Sequence, residues 1–292
     1  MHLVRFLVLV VLGSGCARPA SSPGLDPPAS RSSGLRYAFD VRDEIRTEVL
    51  GPDGTPVEVP GLAAEVLAWE GDLHLEYRRA FPDDSLGWLV QFGSVQATVD
   101  GLHGESSGDL GGLSMELRSF RSREILAVDL LDHLSGAPRH GDLLVPLLLA
   151  LSPAVPEIPV GASAPRRVHL PILPEVGRGV RTAWDLTWSR LEDAPIADGG
   201  RCIVFHWNGP VEGEGGDGGP GWAARYRISG TATGDTCLGT QDYQVVSGSI
   251  QWTGTVIAAL GARTSDGSYA KRGTLRQHHD WQGRLTRMGG RP

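Results

Sequence analysis

Residues 36–49 read Arg-Tyr-Ala-Phe-Asp-Val-Arg-Asp-Glu-Ile-Arg-Thr-Glu-Val. Tyr37, Phe39, Val41, Ile45, Thr47 and Val49 share one parity, with Asp43 the exception, while Asp40, Arg42, Glu44, Arg46 and Glu48 share the other. Period two held over such a length marks a half-buried β-strand, well above the usual length of about 5–6 residues. Gly51-Pro52-Asp53-Gly54 then turns the chain. Leu73, Leu75 and Tyr77 alternate with His74, Glu76 and Arg78, and Pro82-Asp83-Asp84 turns it again. Trp88, Val90 and Phe92 begin a strand running towards Val99, and Leu113, Met115 and Leu117 begin another. Turns this short predict antiparallel hairpins rather than βαβ crossovers.

The C-terminal part follows the same rule. Trp184, Leu186 and Trp188 alternate, as do Ile203, Phe205 and Trp207, after which Asn208-Gly209 reads as a turn. Trp222, Ala224, Tyr226 and Ile228 form the next strand, then Ile250, Trp252 and Val256, and a last run carries Tyr269, Leu275 and Trp281. Arg36-Tyr37-Ala38-Phe39-Asp40-Val41 matches Arg181-Thr182-Ala183-Trp184-Asp185-Leu186 as R-x-A-aromatic-D-aliphatic. Leu117-Arg118 and Leu275-Arg276 stand at corresponding late places. This order predicts a duplication, with the extra length of the second copy in a glycine-rich surface loop at Pro210 to Gly221. Between the copies Leu143 to Leu151 is nearly all apolar. Asp142 is a candidate cap there and Pro146 a first-turn residue, which predicts one short helix near 141–151. Such a helix is either core packing or a lid over an apolar cavity. Pro153 to Pro174 then marks an extended crossing. The expected fold is mainly β: two related, strongly curved antiparallel sheets, half-barrel or barrel-like, with one central helix.

Composition bounds the rest. The 292 residues carry a net charge of −7 with 40% hydrophobic and 21% charged residues, enough for a large core and too acidic for nucleic acid as the main partner. Lys271 is the only lysine and Asn208 the only asparagine, beside 40 glycines and 20 prolines, a codon bias towards GC that points to a bacterial source. Phe6 to Leu12 is a short apolar run behind a basic start, followed by Gly13-Ser14-Gly15-Cys16. That is the pattern of a secretory signal peptide, and the run is too short to span a membrane, which needs about 20 residues. Ala17 to Leu35, rich in Pro, Ser and Gly, reads as a tether. Cys202 and Cys237 remain once Cys16 is set aside, and in an oxidising compartment the even remainder predicts a disulfide. The organisation expected is a signal peptide at 1–15, Cys16 and tether over 16–35, a first β half over 36–135, helix and crossing over 136–179, and a second β half over 180–292.

Asp83-Asp84-Ser85-Leu86 lacks the glycine of a GDSL block, and Ser247-Gly248-Ser249 is no nucleophile elbow. His278 and His279 point to opposite faces of a strand and cannot share a metal. His133 and His140 lack helical ligand spacing, and Gly213 to Gly219 reads as a loop rather than a calcium site. No cofactor, metal or enzymatic activity is therefore expected. Eight tryptophans fall mostly on the inward parity, where large rings fill a curved core or line a pocket; Trp88, Trp184, Trp188 and Trp252, with Leu147, are the candidate ligand-binding residues.

Leu12-Gly13-Ser14-Gly15-Cys16 resembles the bacterial lipobox, although Leu stands four residues before Cys rather than three. The resemblance implies acylation of Cys16, palmitate included, and Ala17 rather than Asp beside it implies the outer membrane, facing the periplasm or the cell surface. With the tether, long antiparallel strands and Pro-rich crossing, the chain resembles uncharacterised bacterial outer-membrane lipoproteins. It is also loosely similar to periplasmic lipoprotein-carrier and lipid-binding half-barrels. The resemblance implies a membrane-anchored protein that binds an apolar ligand or lipid without catalysis, or one that assembles with an envelope protein partner.

Overall fold

A computed structural model describes residues 34–59, 64–83, 85–100, 106–109, 114–119, 125–130, 146–151, 158–171, 181–196, 199–219, 222–241, 244–263 and 269–289. The signal segment, Cys16, most of the tether, His133, His140, Asp142 and the crossing from Pro153 to Pro156 lie outside the described residues. The strands are β1 (Leu35–Leu50), β2 (Pro56–Val57), β3 (Glu65–Ala80), β4 (Leu86–Asp100), β5 (Ser106–Asp109), β6 (Ser114–Ser119) and β7 (Ile125–Leu130). After the helix α1 (Leu147–Leu151) come β8 (Ser163–Pro171), β9 (Arg181–Arg190), β10 (Ala194–Pro195), β11 (Arg201–Gly219), β12 (Trp222–Gly239), β13 (Val245–Arg263) and β14 (Tyr269–Arg287). The mainly-β class, antiparallel pairing and short central helix are those read from the sequence. At the turn after β1, Asp53 accepts from the backbone N–H and hydroxyl of Thr55 at 3.1 and 2.7 Å, and Gly54 sits at φ +86°, where a side chain is strained.

The halves do not form two sheets. β1 pairs along nearly its whole length with β14, Tyr37 opposite Arg287 through Leu50 opposite Thr274, and so fuses them into one. The sheet runs β7-β6-β4-β3-β1-β14-β13-β12-β11-β9-β8, each strand antiparallel to the next, with β2, β5 and β10 paired at the side. Alternating occupancy of the inward face says nothing about which edge meets which, so sequence could not choose between one sheet and two. The sheet curls until Cα atoms of its two edges, β7 and β8, lie within 8 Å of each other. Eleven strands stand on this path, joined by ten antiparallel steps, and an even number of such steps leaves its two edge strands pointing the same way. The chain leaving β7 at one rim must therefore return to the opposite rim to begin β8. The segment that makes this return carries α1.

Inward residues form one continuous core from Tyr37, Phe39 and Val41 on β1 round to Trp281 and Leu285 on β14, and all five residues of α1 are buried within it. The helix rests on strands β12 to β14 over glycines: a Cβ at Gly248 would stand 2.7 Å from that of Ala150, and one at Gly283 would stand 2.9 Å from Cδ2 of Leu147. Indoles use the same device. The ring of Trp207 lies over Gly234, and that of Trp252 over Gly230 and Gly254. Large rings laid across small residues on neighbouring strands fill a curved interior without forcing the strands apart.

Two expected irregular segments are strand. Asn208-Gly209 is not a turn, and the glycine-rich stretch up to Gly219 is not a loop: β11 runs straight through both, paired with β12 from Cys202 to Gly219. At Gly209 the backbone needs glycine for approach rather than for a turn, because a Cβ would fall 2.0 Å from the Asp185 carbonyl oxygen. Further along, Gly213 lies opposite Ile228 and Gly215 opposite Tyr226, so the partner strand supplies the bulk that the glycines lack. Cys202 and Cys237, on these same two strands, are disulfide-bonded with Cα atoms 5.4 Å apart. In the chain-entropy account a loop of that length contributes about 3–4 kcal/mol.

Candidate functional site

The outward face is built of charge. On β1 it carries Asp40, Arg42, Glu44 and Arg46, and on β14 Gln282 and Arg284 are exposed beside a part-buried Arg276. Arg276 reaches Glu48 across the β1–β14 ladder at 3.2 Å, and Arg227 reaches Glu214 across β11–β12 at 3.3 Å. On β8 and β9, Arg167 grips Asp185 with two hydrogen bonds and holds that carboxyl below the usual carboxylate range. Exposed pairs of this kind are screened by solvent and contribute little to stability. This polarity, apolar within and charged without, is the reverse of a lipid-facing barrel, whose outer band is apolar and where an outward arginine at the midplane costs about 2–4 kcal/mol. No helix among the described residues is long and apolar enough to cross a membrane.

Asp83 and Ser85 do structural work at the β3–β4 turn. Asp83 accepts from the Ser85 hydroxyl at 2.6 Å and from Arg118 at 2.7 Å, and the Arg118 Nε donates to Ser85 at 2.8 Å. Phe81 lies between the guanidinium groups of Arg79 and Arg118, 4.6 and 4.3 Å from its ring centre. The Ser85 hydroxyl, followed by the Arg118 guanidinium, lowers the Asp83 carboxyl to about 2. A lowered carboxylate contributes stability that is complete above its ordinary value near 3.8 and is lost as pH falls through about 2. Following the Asp83 carboxyl carbon by NMR should therefore show its midpoint near 2, and in an Arg118→Ala variant the midpoint should rise back towards the ordinary value.

The interior is where the candidate ligand-binding residues lie. Trp184, Trp188 and Trp252 are at most 2% exposed, and Leu147 is fully buried. Trp188 packs on Trp207 with ring centres 5.6 Å apart, while Trp252 stands across the sheet on β13. Trp88 is apart from these: it is half-buried on β4, edge-on to Tyr77, with its indole N–H donating to the Ser119 hydroxyl at 3.2 Å. The structure thus gathers four of the five candidates into one packed core, and the fifth, Trp88, packs half-buried against it.

One interior feature was missed. Asp43, the exception in the alternation of β1, is fully buried, and its Oδ2 pairs with Nδ1 of His279 at 2.9 Å. Trp252 lies against the imidazole, ring centres 5.3 Å apart and 30° between planes. His278 and His279 do face opposite ways, as expected, with His278 exposed and His279 buried. A charged residue on an inward parity was the available signal, but its partner lies 236 positions away. Among the described residues no cluster of three or more His, Cys, Asp or Glu is placed to hold a metal ion.

No family model matches the chain, and no curated protein matches it. Among solved structures, the outer membrane protein OprG from Pseudomonas aeruginosa is similar over 89% of this chain and 100% of its own, at 8% identity and a TM-score of 0.22. An engineered variant of the Rh. blastica porin is similar over 88% of this chain and 100% of its own, at 7% identity and a TM-score of 0.18. Likenesses at such scores carry no weight for the function of this chain.

Proposed function

We propose that the protein is a lipid-anchored envelope protein, held at the outer membrane through Cys16, whose barrel binds an apolar molecule without catalysis. The observation that supports this reading is α1. An apolar volume inside the barrel is filled by five residues of a connecting segment rather than by side chains of the strands. The helix has no polar face, and it is too short to be stable on its own. Withdrawal of the segment would open an apolar chamber floored by Gly248 and Gly283, so the segment is a plug that a guest displaces. The Pro-, Ser- and Gly-rich stretch before β1, read as a tether, would keep such a chamber beside a membrane, where apolar guests are concentrated.

A second reading, an assembly protein with a protein partner in the envelope, is favoured by the continuity of the packed core. Native mass spectrometry of the protein purified from cells separates the two. A lipid-sized adduct, together with uptake of an apolar dye, is the expected result. A clean apo mass and a core closed to the dye would favour the assembly reading. Mass analysis of the mature N-terminus should show a lipid on Cys16, and an unmodified cysteine would remove the anchor from either reading.

A further inference from the structure

We propose that Asp43, His279, Trp252 and Trp281 form a polar subsite inside the barrel that takes the hydroxyl group of a neutral amphiphile. The proposal rests on the binding reading above and names the class of guest. The β1–β14 and β14–β13 registers put Asp43 opposite Trp281 and Trp281 opposite Trp252, while His279 lies one inward step along β14. All four are more than nine-tenths buried. One carboxylate oxygen and one ring nitrogen are used in the Asp43–His279 pair. The other oxygen, Oδ1 of Asp43, the other nitrogen, Nε2 of His279, and the indole N–H groups of Trp252 and Trp281 have no hydrogen-bond partner among the described residues. Buried polar groups are almost always satisfied, so several unmet at one level of a barrel call for an occupant. Unmet indole N–H groups also occur at Trp188 and Trp207, so indoles alone mark nothing; the hydrogen-bonded Asp43–His279 pair distinguishes this level.

The chemistry of the four groups selects the guest. A hydroxyl both donates and accepts: it can donate to Asp43 Oδ1 and accept from the indole N–H of Trp281, which stands opposite Asp43, whereas the Trp252 N–H lies over Gly230 on the far side of β13. A carboxylate would bring a second anion beside Asp43 in a medium of low dielectric. An ammonium can donate to Asp43 Oδ1 but can accept from no indole N–H, so it meets one side of the site where a hydroxyl meets both. An alkane leaves every group unmet. The plug lies next to this level, since a Cβ at Gly283 would meet both the Trp281 ring at 2.5 Å and Leu147 at 2.9 Å. A chain that takes the place of α1 would therefore bring its end to Trp281.

The test uses the purified protein with 1-decanol, decanoate and n-decane at pH 8, read by native mass spectrometry and tryptophan fluorescence. Decanol should bind about tenfold more tightly than either of the others, the worth of one net hydrogen bond. In an Asp43→Leu/His279→Leu variant that preference should vanish while decane still binds. Asp43→Asn, which keeps the volume, should weaken it if the double variant fails to fold. Equal binding of all three probes overturns the subsite and leaves the apolar chamber standing, the four groups then serving an ordered water only. A preference for decanoate overturns it likewise. Binding of none of the three removes the chamber and the subsite together.

Discussion

His279→Ala should destabilise the protein by about 3–5 kcal/mol, the cost of leaving a buried carboxyl group without its hydrogen-bonded partner. Asp43 is fully buried on a strand flanked by β3 and β14, and in the variant neither of its oxygens has a hydrogen-bond partner among the described residues. The companion variant Asp43→Leu/His279→Leu removes both polar groups and leaves apolar groups of similar volume among aromatic neighbours. Such replacements are commonly neutral or stabilising, so most of the loss should be recovered. Guanidinium unfolding at constant slope reads both values. A loss below about 1 kcal/mol for His279→Ala would mean that the carboxylate is solvated in the native state, contrary to the packing described.

Trp207→Ala should cost about 3–5 kcal/mol, as for other fully buried large aromatics. The ring is closed in by Trp188 on β9 and by the backbone at Gly234 on β12, so nothing nearby can collapse into the space it leaves. Gly234→Val attacks the same contact from the other side. Its Cβ would fall 2.3 Å from the Trp207 ring and 2.3 Å from the Ser249 carbonyl oxygen. The ring could turn, but the carbonyl belongs to the β12–β13 ladder and cannot move without breaking it. Overpacking of this kind costs about 1–3 kcal/mol or more. Combined in one chain, the two changes should be less than additive, because Trp207→Ala removes one of the two clashes; a thermal double-mutant cycle measures the coupling. Strict additivity would show that the indole does not lie over Gly234.

These expectations indicate what was legible beforehand. The alternation of Tyr37, Phe39 and Val41 against Asp40 and Arg42 states the strand and its buried face, because period two is a local property. Cys202 and Cys237 could be matched because only two cysteines remained after Cys16. The role of Asp43 was visible only as an irregularity, since His279 reaches it through a pairing of the first long strand with the last. Asn208-Gly209 and the glycines up to Gly219 misled for a different reason. Turn chemistry was read from their side chains, whereas the ladder is made of backbone groups and the bulk comes from Ile228 and Tyr226 on the neighbouring strand. The inward glycines at 234, 248 and 283 carried no signal, because the room they provide is used by residues far away in the chain.

The pairing of β1 with β14 also sets a timetable. Tyr37 waits for Arg287, so one edge of β1 stays open until nearly the whole chain has been delivered. Loop-closure entropy must be met before contacts of such long range can form, and proteins dominated by them fold in milliseconds to seconds rather than microseconds. During that interval β1 offers a long unpaired edge with an aromatic inward face, a template for another copy of itself. The alternating Asp40, Arg42, Glu44, Arg46 and Glu48 on its other face are then as much a safeguard for the nascent chain as a surface for the finished one.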